Sequence, residues 1–461
     1  MQGRTRIMNE TEKSGKLTFM EKFSYGLGDC SANVVVALTG TFLSAYYTDS
    51  VGIAAAAVGT MLLVCRVFDG GSDLLMGAIV DKTSSRFGKA RPWMLWTAPF
   101  MAIGIYLLFN CPEGLSDKGN LVYAYLTYIF MMVIVYTANN LPFNALLSRM
   151  TLDVQDRASA AAMRFVMTQI TTIIINAVTA NLLASVGWRM LSIIYAFVAM
   201  ILSVLCFLGV REHVGEDESG AVVIKKVPFK EALPALIRNK YFYIQALLFM
   251  FVYIAYCCPL QTQYYYANII LNKVEAITAM TLATSLPTLT VNLIVPSMVK
   301  KIGKQKILIL GSLCMIAGSV VIGIAGAGFA LAMVGMVIRG AGIGLIFSSL
   351  FAGTADVVDY GEWKFGIRSE GLVNSCTSFG MKLGIGFGLA IGSWIIALGG
   401  YDGTAAVQTA GAVSSIKFAF GYSGAIFSAI VLVLAIMMNL DKYIGQIQAD
   451  LEAKAAAERE A

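Results

Sequence analysis

The sequence repeats long apolar stretches along nearly all of its 461 residues. A helix needs about 20 mostly apolar residues to cross the hydrocarbon core of a bilayer, and many of these stretches reach that length. Composition agrees, because 57% of the residues are hydrophobic and only 13% are charged, against about 25% charged in soluble domains. Apolar stretches of this length span the bilayer as helices, which pair all of their backbone polar groups internally, so the sequence predicts an all-α polytopic membrane protein.

Twelve such stretches can be counted, and Lys and Arg gather in every second connection between them. This alternation predicts an even number of spans with both termini in the cytoplasm. We therefore expect a multi-pass protein of the cell (inner or plasma) membrane, in contact with lipid. The predicted spans are 22–48, 53–80, 91–110, 121–149, 160–186, 189–211, 241–268, 276–299, 305–325, 328–355, 370–398 and 412–440.

The longest polar interruption divides the chain into two halves of similar length. We predict a six-helix bundle over 1–211, a cytoplasmic central loop over 212–240, a second six-helix bundle over 241–440 and a cytoplasmic tail over 441–461. The stretch VDKTSSRFGKARPWML after the second span is similar to VKKIGKQKILIL after the eighth, which indicates that the halves are pseudo-repeats. Two related six-helix bundles with a site near the midplane are typical of the major facilitator fold.

Two aspartates interrupt the second span, in RVFDGGSDLLMG. Asp69 and Asp73 are four residues apart and share one helix face, and a carboxylate inside a membrane span is costly unless it has a partner. One interpretation is an ion pair with Arg66. Two acids and one base leave a net negative charge, however, which a bound cation or a shared proton would neutralise. The oxygens of Ser72 and Thr137 are suitable further ligands, so these four residues predict a site for H⁺ or Na⁺.

Further polar side chains lie within predicted spans, where they normally face a cavity or a partner. Asn140 and Asn144 are one turn apart with Tyr136 nearby, and such groups can exchange hydrogen bonds with sugar hydroxyls; contacts between helices are the alternative. Arg164 could hold a substrate carboxylate bidentately, unless it pairs with an acid such as Asp29. Asp29 could also cap the cytoplasmic end of the first span. The remaining in-span candidates are Asn33, Arg339 and Lys382.

Other functions find little support in the residues. The single histidine, His213, lies in the central loop, and the eight cysteines show neither metal-ligand spacing nor a disulfide framework. Without a nucleophile paired with a base, we expect no enzyme and no cofactor beyond a coupling cation. The net charge of +6 is spread over loops, so no nucleic-acid partner is predicted. The N-terminus does not resemble a signal peptide.

The chain resembles the glycoside–pentoside–hexuronide:cation symporter family, the melibiose-permease branch of the major facilitator superfamily. The resemblance implies uptake of a sugar or glycoside, coupled to H⁺ or Na⁺ entry, by a protein that functions as a monomer. A glucuronide or other hexuronide, a xyloside and a short oligosaccharide all fit, and a lysolipid or other amphiphile carrier of the same fold is the alternative. The likeness is carried, in order, by SYGLGD, YYTD, RVFDGGSDLLMG, SSRFGKARPW, YTANNLPFNAL, DVVDYGEWKFGIRSE and Lys382.

The resemblance also implies residue roles. Melibiose permease has Asn in place of Ser72 and carboxylates in place of Asn33 and Asn140, so neither its cation preference nor its galactoside recognition can be transferred. The family's cation site falls on Asp69, Ser72, Asp73 and Thr137. Its sugar site falls on Asn33, Tyr136, Asn140, Asn144, Arg164, Phe347 and Ser378, and its lysine between the halves on Lys382. The charged network that closes the cytoplasmic side, which we expect to pair across the halves, falls on Arg157, Asp356, Asp359, Glu362 and Arg368.

Overall fold

A computed structural model describes residues 16–151, 153–213, 238–367, 370–405 and 407–460. Within these ranges every regular element is a helix, as predicted. The chain divides into two compact units, Met1–Ile224 with Asp402–Ala405, and Lys225–Tyr401 with Ala406–Ala461. The boundary falls in the predicted central loop, of which 214–237 are outside the described residues. The finer domain bounds stay a prediction.

Six longer α-helices make up most of the described part of the N-terminal unit. A π-helical stretch, Ile129–Val135, joins the fourth to the fifth, and a second, Tyr46–Ser50, follows the first after Leu43–Ala45. The sixth helix is broken at Gly187, whose φ of 71° and ψ of 172° are not helical. The helices are α1 Phe19–Thr41, α2 Ala55–Lys82, α3 Arg91–Leu108, α4 Asp117–Tyr128, α5 Tyr136–Met150 and α6 Val154–Gly209.

Close packing in this unit brings α1 alongside α6, and α2 against α5. The rings of Tyr25 on α1 and Phe143 on α5 are buried and stack with centroids 4.6 Å apart. Gly28 allows this approach, because a Cβ there would lie 2.5 Å from the Phe143 ring. Thr18 and Glu21 form a capping box that fixes the start of α1. Three helices, α1, α5 and α6, are thereby held together around one polar region.

The C-terminal unit is also helical, with π-helical stretches at Tyr266–Ile270 and Phe418–Tyr422 and a 3₁₀ turn at Leu440–Lys442. Glycines bring α9 and α10 together, since a Cβ on Gly342 would lie 2.7 Å from the Gly311 carbonyl oxygen. The helices are α7 Lys240–Tyr265, α8 Ala276–Ile302, α9 Lys304–Ala325, α10 Phe329–Phe365, α11 Glu370–Leu398, α12 Ala410–Lys417, α13 Ser423–Met437 and α14 Ile444–Glu460.

Length and hydropathy qualify eight helices of the described chain as membrane spans, or nine if the bent pair Phe19–Thr41 and Leu43–Ser50 counts as one. One of the eight, Gln155–Gly209, has 55 residues, about 80 Å at 1.5 Å per residue, which is enough for two crossings. Its break at Gly187 falls between the fifth and sixth predicted spans. The multi-pass architecture is confirmed, whereas the total of twelve spans stays a prediction.

Candidate functional site

The predicted cation ligands come together between α2 and α5. Asp69 is only 4% exposed, and the hydroxyl of Thr137 donates to its Oδ1 across 3.0 Å. Ser72 donates to the Asp69 carbonyl oxygen at 2.9 Å, and its hydroxyl lies 3.4 Å from that of Thr137. Arg66 contacts Asp69 Oδ2 at 3.4 Å. Three of the four predicted ligands, Asp69, Ser72 and Thr137, therefore form one cluster of oxygens, and together with Asp73 we call them the cation cluster.

The fourth predicted ligand, Asp73, lies one helical turn farther along α2 and is partly buried. Asp69 and Asp73 are thus on the same face of α2. Arg66 is the base in contact with Asp69, and all three side chains lie on the helix that corresponds to the second predicted span. Carboxylate and hydroxyl oxygens are hard ligands, which suit a small monovalent cation or, at a carboxylate, a proton.

The π-helical stretch Ile129–Val135 leads directly into Tyr136 and Thr137. Such widened turns shift the helix face by a fraction of a turn and are frequent at functional sites. Beyond this stretch, α5 presents Thr137 to α2 and Asn144 to α6. One helix therefore carries side chains of both the cation cluster and the predicted sugar site.

Arg164 on α6 pairs with Asp29 on α1. Its Nε lies 2.9 Å from Oδ2 and its Nη2 lies 3.3 Å from Oδ1, and the Thr168 hydroxyl donates to Oδ2 at 2.6 Å. Of the two interpretations of Arg164, the structure shows the pairing with Asp29. Asp29 is therefore not a helix cap. The physical reason is that α1 packs along α6, and a half-buried guanidinium takes the carboxylate that faces it.

A row of hydrogen bonds continues from Arg164 along α5. Arg164 Nη1 donates to Asn144 Oδ1 at 2.9 Å, and Asn144 Nδ2 donates to Asn140 Oδ1 at 2.8 Å. Asn140 Nδ2 in turn lies 3.4 Å from the Tyr136 hydroxyl. Asn144 is exposed, whereas Asn140 and Tyr136 are partly buried. We call Tyr136, Asn140 and Asn144 the amide row; the structure brings these predicted sugar ligands together.

Two threonines on α6 complete this region, and the sequence analysis did not identify them. Thr168 bonds Asp29, and Thr172 donates to Asn33 Oδ1 at 2.7 Å. They follow Arg164 at steps of four residues, so all three lie on one face of α6. That spacing is the signal that could have found them. Asn33, one turn after Asp29 on α1, thus lies beside the ion pair rather than apart from it.

In the C-terminal unit, Phe347 on α10 lies among tyrosines of α7. Its ring centroid is 5.2 Å from that of Tyr253 and 5.6 Å from that of Tyr256. Arg339 is buried, donates to the Phe420 carbonyl oxygen at 3.2 Å and has its guanidinium 5.0 Å from the centroid of that ring. These contacts place Arg339 as an anchor between helices of this unit, whereas Phe347 belongs to an aromatic surface.

Ser378 and Lys382 are four residues apart on α11 and share one face. Ser378 is exposed and Lys382 is partly buried. The opposite face of α11 is lined by glycines that contact α7. A Cβ on Gly380 would lie 2.7 Å from the Ala246 carbonyl oxygen, and a Cβ on Gly388 would lie 2.8 Å from a side-chain atom of α7. Both predicted residues therefore lie on the side of α11 that does not pack against α7.

Two of the charges predicted to close the cytoplasmic side, Asp356 and Arg157, have partners within their own units. Lys304 Nζ lies 2.7 Å from both carboxylate oxygens of the buried Asp356. Arg157 donates to the carbonyl oxygens of Thr151 and Ser148, at 2.8 and 3.3 Å. The predicted pairing across the halves stays a prediction, and Lys304, in the basic run KKIGKQK, was missed as a partner. Asp359 and Glu362 follow Asp356 on α10, and Arg368 lies outside the described residues.

In each unit, a carboxylate that the sequence analysis did not identify caps the start of a helix. Glu212 accepts hydrogen bonds from the backbone N–H groups of Ala90 and Arg91, at 2.9 and 2.8 Å, at the start of α3. Asp441 accepts from the backbone N–H of Gln305, at 2.8 Å, at the start of α9. These starts are the two loops whose sequences are similar, and the matching caps support the pseudo-repeat.

Comparison with known proteins gives a consistent result. The family described as MFS/sugar transport protein matches residues 24–442. An isoprimeverose transporter of Lactiplantibacillus pentosus is 31% identical over 449 residues, which cover 95% of this chain and 92% of the relative. A glucuronide carrier protein homolog of Escherichia coli (strain K12) is 31% identical over 396 residues, which cover 84% of this chain and 85% of the relative.

Among solved structures, that of a D-xylose-proton symporter superposes with a TM-score of 0.61, covering 91% of this chain and 95% of that chain. At 15% identity the match shows the fold alone, and it confirms the predicted major facilitator architecture. The family match and the relatives confirm the resemblance seen in the motifs. The chain belongs to the MFS/sugar transport protein family, within its glycoside–pentoside–hexuronide:cation symporter branch.

Proposed function

We propose that this protein is a secondary active symporter that couples the entry of H⁺ or Na⁺ to the uptake of a sugar or glycoside by alternating access. Family membership supports this function, as do the names of the relatives, a transporter of isoprimeverose and a glucuronide carrier homolog. The protein is a transporter rather than an enzyme. It functions as a monomer in the cell membrane, with both termini in the cytoplasm.

The observation that carries the proposal is the contact of Thr137 with the buried carboxylate of Asp69. With Asp73 one turn away, the cluster has two acids for the arginine contact of Arg66. Carboxylate and hydroxyl oxygens close together inside a predicted span are suitable ligands for a monovalent cation. The cluster is therefore suited to take up the cation that drives transport.

The amide row is suited to the sugar. Amide and phenol groups both donate and accept hydrogen bonds, as recognition of sugar hydroxyls requires. Asn144 Nδ2 donates a hydrogen bond to Asn140 Oδ1 at 2.8 Å. The hydroxyl groups of a bound sugar can replace this hydrogen bond with hydrogen bonds to each amide. Because Thr137 and Asn140 are both on α5, one turn apart, a cation that draws Thr137 toward Asp69 also positions the amide row. Such a shared helix couples the two binding events, and the coupling is reciprocal.

The proposal is tested with purified protein in proteoliposomes. A panel of glycosides is offered while a Na⁺ gradient and a pH gradient are imposed separately. We expect at least one glycoside to accumulate above its external concentration under one gradient, and not in its absence or in protein-free vesicles. If no glycoside accumulates under either gradient while a labelled lysolipid is moved between leaflets, the symporter proposal is wrong.

A further inference from the structure

The guanidinium of Arg164 contacts the amide row through Asn144 and offers five N–H donors. Nε and Nη2 are directed at the two carboxylate oxygens of Asp29, at 2.9 and 3.3 Å. Nη1 donates to the Tyr25 hydroxyl at 3.2 Å and to Asn144 Oδ1 at 2.9 Å. Four of the five donors therefore have partners in the protein. A carboxylate held bidentately needs two parallel donors, and Arg164 has one left.

The surroundings stabilise the existing pair. The Asp29 side chain is 13% exposed and that of Arg164 is 27% exposed, so Asp29 is the more deeply buried partner. Thr168 adds a hydroxyl donor to Asp29 at 2.6 Å, and the guanidinium carbon of Arg164 lies 4.9 Å from the centroid of the Phe143 ring. A substrate carboxylate that displaced Asp29 would leave a buried acid without its base, which is strongly unfavourable.

The charges in the middle of the N-terminal unit point the same way. Five charged side chains of the described helices of this unit lie more than two turns from any helix end and from the break at Gly187. Three of them are acids and two are arginines. Acids therefore already outnumber bases among them, and a substrate carboxylate adds one more acid in a region of low dielectric constant. The five are Asp29, Arg66, Asp69, Asp73 and Arg164.

From these contacts we infer that the substrate is a neutral glycoside and that Asp29 sets this specificity by occupying Arg164. The inference rests on the proposed symport and narrows it, because it disfavours the hexuronides among the possible substrates. Asp29 is a positioning residue in this account. It acts on the substrate through Arg164, whose remaining contact with Asn144 aligns the amide row toward hydroxyl groups.

The first test compares glycosides that differ only at C6. Methyl β-D-glucoside and methyl β-D-galactoside are each paired with the corresponding uronide, and methyl β-D-xyloside, which lacks C6, is included. In wild-type proteoliposomes we expect at least one neutral glycoside to accumulate, and the uronides to accumulate at least tenfold less. Uronide accumulation equal to or greater than that of the neutral glycosides overturns the inference while leaving symport intact. Absence of accumulation in both series and in the wider glycoside panel defeats the proposed function itself.

The second test changes the partner of Arg164. Asp29→Asn frees the guanidinium, and we expect the ratio of uronide to neutral uptake to rise at least tenfold. Asp29→Glu keeps the acid and should retain the wild-type preference, as should Asp117→Asn, which removes an exposed carboxylate at the start of α4 in the same unit. An unchanged ratio in a transporting Asp29→Asn protein overturns the inference. If that variant does not reach the membrane, a loss of the neutral preference in Asp29→Glu overturns it instead.

Discussion

The hydroxyl of Thr137 on α5 donates a hydrogen bond to the carboxylate of Asp69 on α2, across 3.0 Å. The hydroxyl of the preceding residue, Tyr136, accepts a hydrogen bond from Asn140 Nδ2 at 3.4 Å. Adjacent residues of one helix thus contact the cation cluster and the amide row. We therefore expect a ligand that changes the Asp69–Thr137 contact to shift the amides as well, which would couple cation binding to sugar binding.

Thr137→Val removes the hydroxyl while keeping the shape of the side chain. We expect the half-saturating cation concentration for glycoside uptake to rise about tenfold, or about 1.4 kcal/mol, because a ligand oxygen and the bond to Asp69 are both lost. The control is Thr60→Val on α2, whose hydroxyl donates to the Ala56 carbonyl oxygen of its own helix. The measurement is initial uptake against cation concentration, and equal curves for Thr137→Val and wild type would remove Thr137 from the site.

Arg164→Ala removes the residue that links Asp29 to the amide row. We expect glycoside affinity to fall at least tenfold in isothermal titration, while cation affinity stays within about threefold of wild type. Arg164→Lys should recover little, because an ammonium group lacks the planar fork that reaches Asp29, Tyr25 and Asn144 together.

Arg189→Ala, at an exposed position of the same helix, is the matched control and should bind like wild type. A glycoside affinity within about threefold of wild type in Arg164→Ala, roughly 0.65 kcal/mol, would show that Arg164 does not position the sugar.

Lys304→Met should destabilise the protein, because it leaves the buried Asp356 without its base. Removing one partner of a buried ion pair costs about 3 kcal/mol or more, whereas Lys306→Met, at an exposed position two residues away, should cost little. Replacing both partners, in Lys304→Met with Asp356→Leu, should recover most of the loss. Denaturation midpoints in detergent would measure all three, and a Lys304→Met midpoint equal to that of wild type would refute the assigned pair.

The grouping of the predicted cation ligands on α2 was predictable because these residues are close in sequence. Asp69, Ser72 and Asp73 lie within five residues, and helical spacing alone places Asp69 and Asp73 on one face of α2. The partner of Arg164 was not predictable in the same way. Asp29 is 135 positions away from it, and a sequence does not specify which turn of α1 faces which turn of α6. That register follows from packing, such as the contact of Gly28 with Phe143.

The same distinction applies to the spans and the loops. The helix Ala55–Lys82 is not among those that qualify as spans by hydropathy. It carries Arg66, Asp69 and Asp73, and these charged residues lower the hydropathy by which spans are counted. The carboxylate caps of Glu212 and Asp441 lie after the sixth helix and near the C-terminal tail. Their partners are backbone N–H groups at the starts of helices distant in sequence, for which side-chain patterns give no signal.

The most direct test of the central claim is cation movement driven by the glycoside itself. A transported glycoside is added outside proteoliposomes without an imposed cation gradient, and influx is followed with a pH-sensitive dye and with labelled Na⁺. We expect wild type and Asp117→Asn to move one of these cations inward in fixed proportion to the glycoside. Asp69→Asn and Asp73→Asn should insert into the membrane but show no such influx and no uphill uptake. Undiminished glycoside-driven cation influx in both variants would contradict the account.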